Sequence, residues 1–370
     1  MTLASLAMTR IAAARRMLAA ARGVAALAPA VLGAAALAMA GIGPARAQTV
    51  LTIYSATDTS AMTEVIARFE ATHPAVKVEY VEYNTSELYE AIASHRHSVD
   101  VVISSSMDLQ AKLVNSGDAY AFSPPNADAL PEWARWRGEL YGFTWEPVVM
   151  VYNKKAFADR PLPQTRSELA GMIRDDPDFF RGRVGTYDIH LSGVGYLFAT
   201  QDAQRGYQFS RVAESFGRAR ARTFCCTRDV LDRVASGELV YGYNMIGSYT
   251  LGVARNDERI GYYLLDDYTL VMSRTAFIPE TAPNKRAAVS FVNFLLSPQG
   301  QAALASSPEL IPLLPEANAA SGHSGVPGTE GRSLLPIRLG TGLLTYLDRL
   351  KKEAFLADWS AAMQVESASQ

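Results

Sequence analysis

The sequence predicts an α/β protein of two domains, each a mixed, mostly parallel sheet flanked by helices. Three observations carry that expectation. At 370 residues the chain exceeds what one hydrophobic core usually organises. The part from residue 50 to 114 alternates short apolar runs with helical-period segments, reading β-α-β-α-β-α. A second series follows a proline-bearing loop and ends where the chain rejoins the first near Asp267-Tyr268. Short crossovers of this kind place strands in the middle and helices on both faces.

Residues 1–47 contain five arginines (Arg10, Arg15, Arg16, Arg22 and Arg46) and no acid. An alanine-rich apolar run, 24–40, leads to Ala45-Arg46-Ala47 before Gln48. A basic n-region, an apolar h-region and an A-x-A-like site predict a signal peptide cleaved after Ala47 and a periplasmic product; an uncleaved membrane anchor is the competing reading. Without the leader, 30 basic residues face 37 acids, a net charge near −7 that argues against nucleic acid as a partner. No other run reaches the roughly 18 apolar residues a membrane helix needs, and the mature chain is read as a soluble monomer. The two cysteines, Cys225 and Cys226, are adjacent. Two give no zinc site. Export permits oxidation, but a disulfide between neighbours closes a strained eight-membered ring. They are read as free or vicinal thiols without catalytic duty.

In order, residues 50–54 form a strand and 61–72 a helix whose Met62, Val65, Ile66 and Phe69 keep the helical period. A strand at 76–83 and a helix at 86–94, capped by Ser86, come next. The β-branched run 99–103 then turns through Ser104-Ser105-Ser106 into a helix with Met107, Leu109, Leu113 and Val114 at helical spacing. Residues 121–140 read as a loop with Pro124, Pro125 and Pro131, and 148–153 as a strand. The second series has helices near 167–174, 196–203, 209–216 and 227–236, and strands near 183–187, 238–243, 260–265 and 268–273. Helices at 284–296, from 298, and at 342–359 complete the chain.

Four stretches, "LTIYSATD", "DVVISSSMDLQAKL", "EPVVMVYNKKAF" and, after the strand at Tyr268, "APNKRAAVSFVNFLLSPQGQ", resemble in order and spacing the extracellular solute-binding proteins of ABC importers. The resemblance covers nearly all of residues 50–362. It is closest to the branch holding ferric-iron-binding proteins and binders of phosphorylated sugars, phosphoglycerate and phosphonates. It implies the type II periplasmic-binding fold: lobe 1 from 48–146 and 268–310, lobe 2 from 147–267 and 311–365, and a frayed tail at 366–370. Two hinge strands would let the lobes close on a ligand, and ABC permease membrane subunits would be the partners.

The resemblance places four turns at the cleft: Ser55-Ala56-Thr57, Ser104-Ser105-Ser106, Ser192-Gly193-Val194-Gly195 and Asn244-Met245-Ile246-Gly247-Ser248-Tyr249. Each is small and bears hydroxyls or glycine where a helix begins, so N–H groups and hydroxyls would hold a small-molecule anion without a formal counter-charge. Helix capping alone explains any one of them. Candidate ligand contacts are Ser55, Thr57, Ser104, Ser105, Ser106, Ser192, Gly193, Asn244, Ser248 and Tyr249. Trp145 and Glu146 would floor the cleft, Glu146 suiting a ligand hydroxyl because it repels a bare anion. His190 has a site role or a structural one.

Family iron binders carry adjacent tyrosines after an asparagine at a helix start in the second lobe. Met245 and Ile246 stand there, and neither offers ferric iron an anionic oxygen. Tyr262-Tyr263 falls in a strand, whose neighbours point to opposite faces. Tyr54, Tyr243 and Tyr249 keep the iron reading open. His95-Arg96-His97 is read as an exposed helix end, so no metal site is expected. There is no G-x-S-x-G elbow, no readable Ser-His-Asp order, no P-loop and no G-x-G-x-x-G, so neither an enzyme nor a cofactor is expected. The expected function is capture of a small oxyanionic solute, an organophosphate or related anion, for an ABC permease. Alternatives are ferric-iron binding, ligand sensing for a membrane histidine kinase, and a hydrolase or transferase.

Overall fold

The computed structural model describes residues 48–96, 98–316 and 327–364. The expected leader, His97 and the expected tail therefore lie outside the described residues. Two mixed sheets form the frame. The first runs β2 (Val76–Glu82), β1 (Thr49–Ser55), β3 (Val101–Ser104), β12 (Thr275–Phe277), β5 (Leu140–Gly142) and β4 (Arg135–Trp136). β1 pairs parallel with β2 and β3; β12 pairs antiparallel with β3 and β5. The second runs β13 (Leu334–Pro336), β11 (Thr269–Met272), β6 (Glu146–Asn153), β9 (Tyr241–Ile246), β7 (Val184–Tyr187) and β8 (Arg222–Phe224), with β10 (Ile260–Tyr263) also on β6.

Helices follow the strands as the periodicity requires. α1 (Thr59–Thr72) buries Met62, Val65 and Phe69 on one face, each worth about 1.5–3 kcal/mol of transfer free energy. α2 (Thr85–Ala93) and α3 (Met107–Asn115) precede and follow β3. α4 (Arg166–Asp175), α5 (Pro177–Phe180), α6 (Gly193–Ala203), α7 (Gln208–Arg218), α8 (Thr227–Ser236) and α9 (Gly247–Ala254) flank the second sheet. α10 (Lys285–Leu296) and α11 (Pro298–Ser306) return to the first sheet's apolar cluster, and α12 (Arg349–Met363) packs Trp359 and Met363 into that of the second.

Several elements differ from the sequence reading. Asn84, not Ser86, caps α2, accepting from Glu87 N at 2.8 Å. α5, β8 and β12 were too short to show a period. The segment 342–359 is not one helix: a 3₁₀ stretch, Thr341–Leu347, ends before Asp348, whose carboxylate caps α12 at Lys351 N. Asn244 and Ile246 belong to β9 rather than to a turn, and the helix starts at Gly247.

The chain passes between the sheets at 143–145 and again at Ser273-Arg274. The passages lie side by side: Phe143 N donates to Arg274 O at 3.0 Å and Arg274 N to Thr144 Oγ1 at 2.7 Å. A third segment joins them, Trp145 N donating to Ile311 O at 2.9 Å.

Candidate functional site

A cavity of about 310 Å³ opens between the two sheets. Its walls are helix starts. Asp58, Asn84, Ser192, Cys226 and Ile246 are the N-cap residues of α1, α2, α6, α8 and α9, and Ser105 adjoins the N-cap of α3; all six line it. Each helix beginning carries unsatisfied N–H groups and about half a positive charge.

Several of those N–H groups are met by the protein itself. Glu82 accepts from Thr59 N at 2.7 Å, and the Tyr249 hydroxyl accepts from Asp58 N at 3.2 Å while donating to Asp58 Oδ1 at 2.8 Å. Ser55 Oγ accepts from Thr57 N, Ser104 Oγ from Ser106 N, and Ser192 Oγ from Gly195 N. Gly193 N donates to Thr85 Oγ1 at 2.8 Å, a bond from α6 to the start of α2 that joins the two sheets' halves. The N-cap side chains of α1, α3, α8 and α9 make no cap hydrogen bond; at α1 and α3 the carboxylates of Glu82 and Asp108 take a first-turn N–H instead.

Of the expected contacts, Ser105, Ser192 and Tyr249 line the cavity. Ser55, Thr57, Ser104, Ser106, Gly193 and Ser248 are buried directly behind its walls. Trp145 is half-buried in the passage between the sheets and packs against both cores. Glu146 is fully buried and paired with fully buried Arg274 at 2.8 Å; it also accepts from Thr144 Oγ1, at 2.8 Å, and from Ser248 Oγ. Arg274 reaches on to Thr57 Oγ1 at 2.8 Å. Burial opposes the Arg274 charge, but Glu146 and Tyr249 more than offset it and the guanidinium stays protonated. His190 is exposed and bonded to Ser360 Oγ at 2.9 Å, outside the cavity. Asn244 turns away as well: with φ 60° it gives Nδ2 to Asp202 at 2.7 Å, and its buried Oδ1 accepts no hydrogen bond.

Asp202 collects that amide, the hydroxyls of Tyr243 and Tyr268, and Arg166. Tyr243 is thus committed to a buried cluster. Tyr262 packs in one core cluster and Tyr263 in another, so the pair is split as a strand demands. Tyr187 and Tyr249 do line the cavity; burial pushes the Tyr187 hydroxyl up to about 12 and raises that of Tyr249, so both are protonated donors at neutral pH.

Residues not singled out from the sequence complete the site: Asp58, Glu82, Tyr83, Asn84, Thr85, Glu87, Tyr187, Thr227 and Arg274. Asp58 and Asn84-Thr85 follow a strand and open a helix, the same pattern as the four turns, so a signal for them existed. Arg274 had none. The cysteine reading is corrected: Cys225 and Cys226 form a vicinal disulfide, and both line the cavity. Among the described residues Cys225, Cys226 and Asp229 are the one close grouping of three histidine, cysteine or carboxylate side chains, and the disulfide occupies its sulfurs.

Behind the serine turn sits Asp108, buried, with Oδ1 accepting from Ser106 Oγ at 2.8 Å and Leu109 N at 2.9 Å. Burial outweighs those bonds and pushes its carboxyl up to about 6. A folded pKa above the unfolded one means the native state binds more protons between pH 4 and 6. Stability therefore falls as pH rises through that window, by about 2–3 kcal/mol from this group. Urea unfolding from pH 4 to 7 should show that fall in the wild type and a flatter profile in Asp108→Asn; identical profiles would refute the assignment.

Two sheets facing across one cavity, linked by adjacent passages, define a two-lobed binding protein. Residues 51–307 match the family model of bacterial extracellular solute-binding proteins, and the chain belongs to that family. Its members bind small molecules for ABC permease subunits and work in the periplasm or outside the cell. The structure of an ABC-transporter substrate-binding protein from Agrobacterium tumefaciens superposes with a TM-score of 0.77 at 31% identity, covering 88% of this chain and 96% of that one. The periplasmic binding protein AfuA from Actinobacillus pleuropneumoniae, with fructose-6-phosphate bound, gives 0.71 at 17% identity over 86% and 99%. Iron uptake protein A1 of Synechocystis sp. is 26% identical over 291 residues, 71% of this chain and 76% of its own length. Among the described residues no helix is long and apolar enough to cross a membrane.

Proposed function

We propose that this protein, exported by its leader and acting as a monomer without catalysis, captures an organophosphate or related oxyanion and delivers it to an ABC permease. One observation carries the reading: six helix N-termini converge on one cavity, and at four of them, α1, α3, α8 and α9, the N-cap side chain makes no cap hydrogen bond. Such ends supply N–H donors and positive potential to an anion. Arg274 neutralises Glu146, which removes the repulsion expected from that carboxylate. Ser105, Ser192, Tyr249 and Thr227 would contact the oxyanion. Asp58, Glu82 and Glu87 line the same cavity and suit the hydroxyls of a sugar or polyol phosphate.

Ferric iron is the second reading, favoured by the name of the cyanobacterial relative. Against it, buried Met245 and Ile246 stand where the resemblance to iron binders calls for tyrosines. Thermal-shift and calorimetric titration of the mature protein with fructose 6-phosphate, phosphoglycerate, phosphonates and ferric citrate separates the two. A phosphate ester at 100 times its Kd should stabilise the fold by about 2.7 kcal/mol. A visible tyrosinate band with iron and no response to phosphates would reverse the order.

A further inference from the structure

The Cys225–Cys226 disulfide is exposed in the wall of the cavity, at the turn that starts α8. The sequence has no third cysteine, so the alternative to this bond within the chain is a dithiol. The N-cap side chain of α8 makes no hydrogen bond to the helix, so the covalent ring adds a constraint on its entry beside the pairing of β8 with β7. Of the next two residues, Thr227 is tied within the second half and Arg228 crosses to the first. Thr227 Oγ1 lies 2.5 Å from the Tyr187 hydroxyl, and Arg228 bridges to Glu309 at 2.6 Å and to Asp58 at 3.7 Å. Asp58 opens α1 on the first sheet, whereas α8 flanks the second.

We propose that this disulfide is a thiol–disulfide exchange site, and that its reduction by a dithiol reductant loosens the first turn of α8 and weakens closure on the ligand. One thiolate of the reductant attacks a cysteine sulfur, breaking the S–S bond and forming a mixed disulfide. The second thiolate of the reductant displaces the protein sulfur and leaves as the oxidised, cyclic disulfide. The protein gains two electrons and two protons. The helix N-terminus favours the departing thiolate, and Asp229, whose Oδ2 lies 3.3 Å from Cys225 Sγ, accepts the hydrogen bond of the thiol that forms. Once the ring opens, the backbone before Thr227 and Arg228 regains freedom, and the Arg228 bridge to Asp58 and Glu309 loses its fixed geometry.

The effect on ligand affinity rests on the cavity being the ligand site; the exchange chemistry does not. The mature protein should bind no iodoacetamide as isolated and two equivalents after dithiothreitol, without denaturant. Hydrogen exchange in residues 227–236 should quicken at least fivefold on reduction while α10 stays unchanged, and the double variant Cys225→Ser, Cys226→Ser should match the reduced protein. Fructose 6-phosphate affinity should drop at least tenfold in both. A need for denaturant to reach the sulfurs, or equal exchange in the two redox states, would overturn the proposal. If fructose 6-phosphate binds neither state while exchange still responds, the ligand reading fails and the exchange site stands.

Discussion

Arg274→Met should lower the unfolding free energy by about 3–5 kcal/mol, because it leaves Glu146 fully buried and charged without its partner. The remaining donors to Glu146, Thr144 and Ser248, are hydroxyls that cannot replace a guanidinium. The loss falls at the passage between the sheets, where Arg274 N also donates to Thr144 Oγ1 and Arg274 O accepts from Phe143 N. The double variant Arg274→Met, Glu146→Leu should recover most of the stability, since replacing both members of a buried pair with apolar groups is often neutral. Urea denaturation of the three variants measures this. A single variant within 1 kcal/mol of wild type would show that the buried pair does not stabilise the fold.

Gly193→Val should cut ligand affinity at least tenfold while changing stability by no more than about 1 kcal/mol. A Cβ at Gly193 would sit 2.8 Å from Leu109 Cδ1, 2.9 Å from Ser106 Oγ and 3.0 Å from Thr85 Oγ1. All three belong to helix starts on the first sheet, whereas Gly193 opens α6 on the second. The clash is therefore between the halves, not within either, and it opposes closure rather than folding. Apparent affinity scales with the closed fraction, and about 1.4 kcal/mol against closure is a factor of ten. Calorimetry with whichever phosphate ester responds, alongside urea unfolding, tests it. Normal affinity with reduced stability would mean that the contact with Thr85 is structural only.

What the sequence determined by itself is the order of elements and their chemistry at the turns. Period-2 and helical patterns located β1, α1, β2, α3 and α10, because long periodic segments need no tertiary context. The turns after β1, β3 and β7 were legible for the same reason: small hydroxyl residues before an apolar helical run cap helices wherever they occur. The elements missed include α5, β4, β5, β8, β12 and β13, which span two to four residues each and are defined by their neighbours' hydrogen bonds.

Tertiary structure alone decided what those turns do. It turned Ser104 and Ser106 inward as caps and donors, left Ser105 at the cavity, and pulled Asn244 toward Asp202. It also set Arg274 against Glu146 across 128 positions of sequence and brought Cys225 and Cys226 to the cavity wall. Local pattern reports which side chain can cap or donate. Only the packing of two sheets across a shared cavity selects its partner, because the free energy of a buried charge or hydroxyl depends on groups distant in sequence that desolvate and pair it.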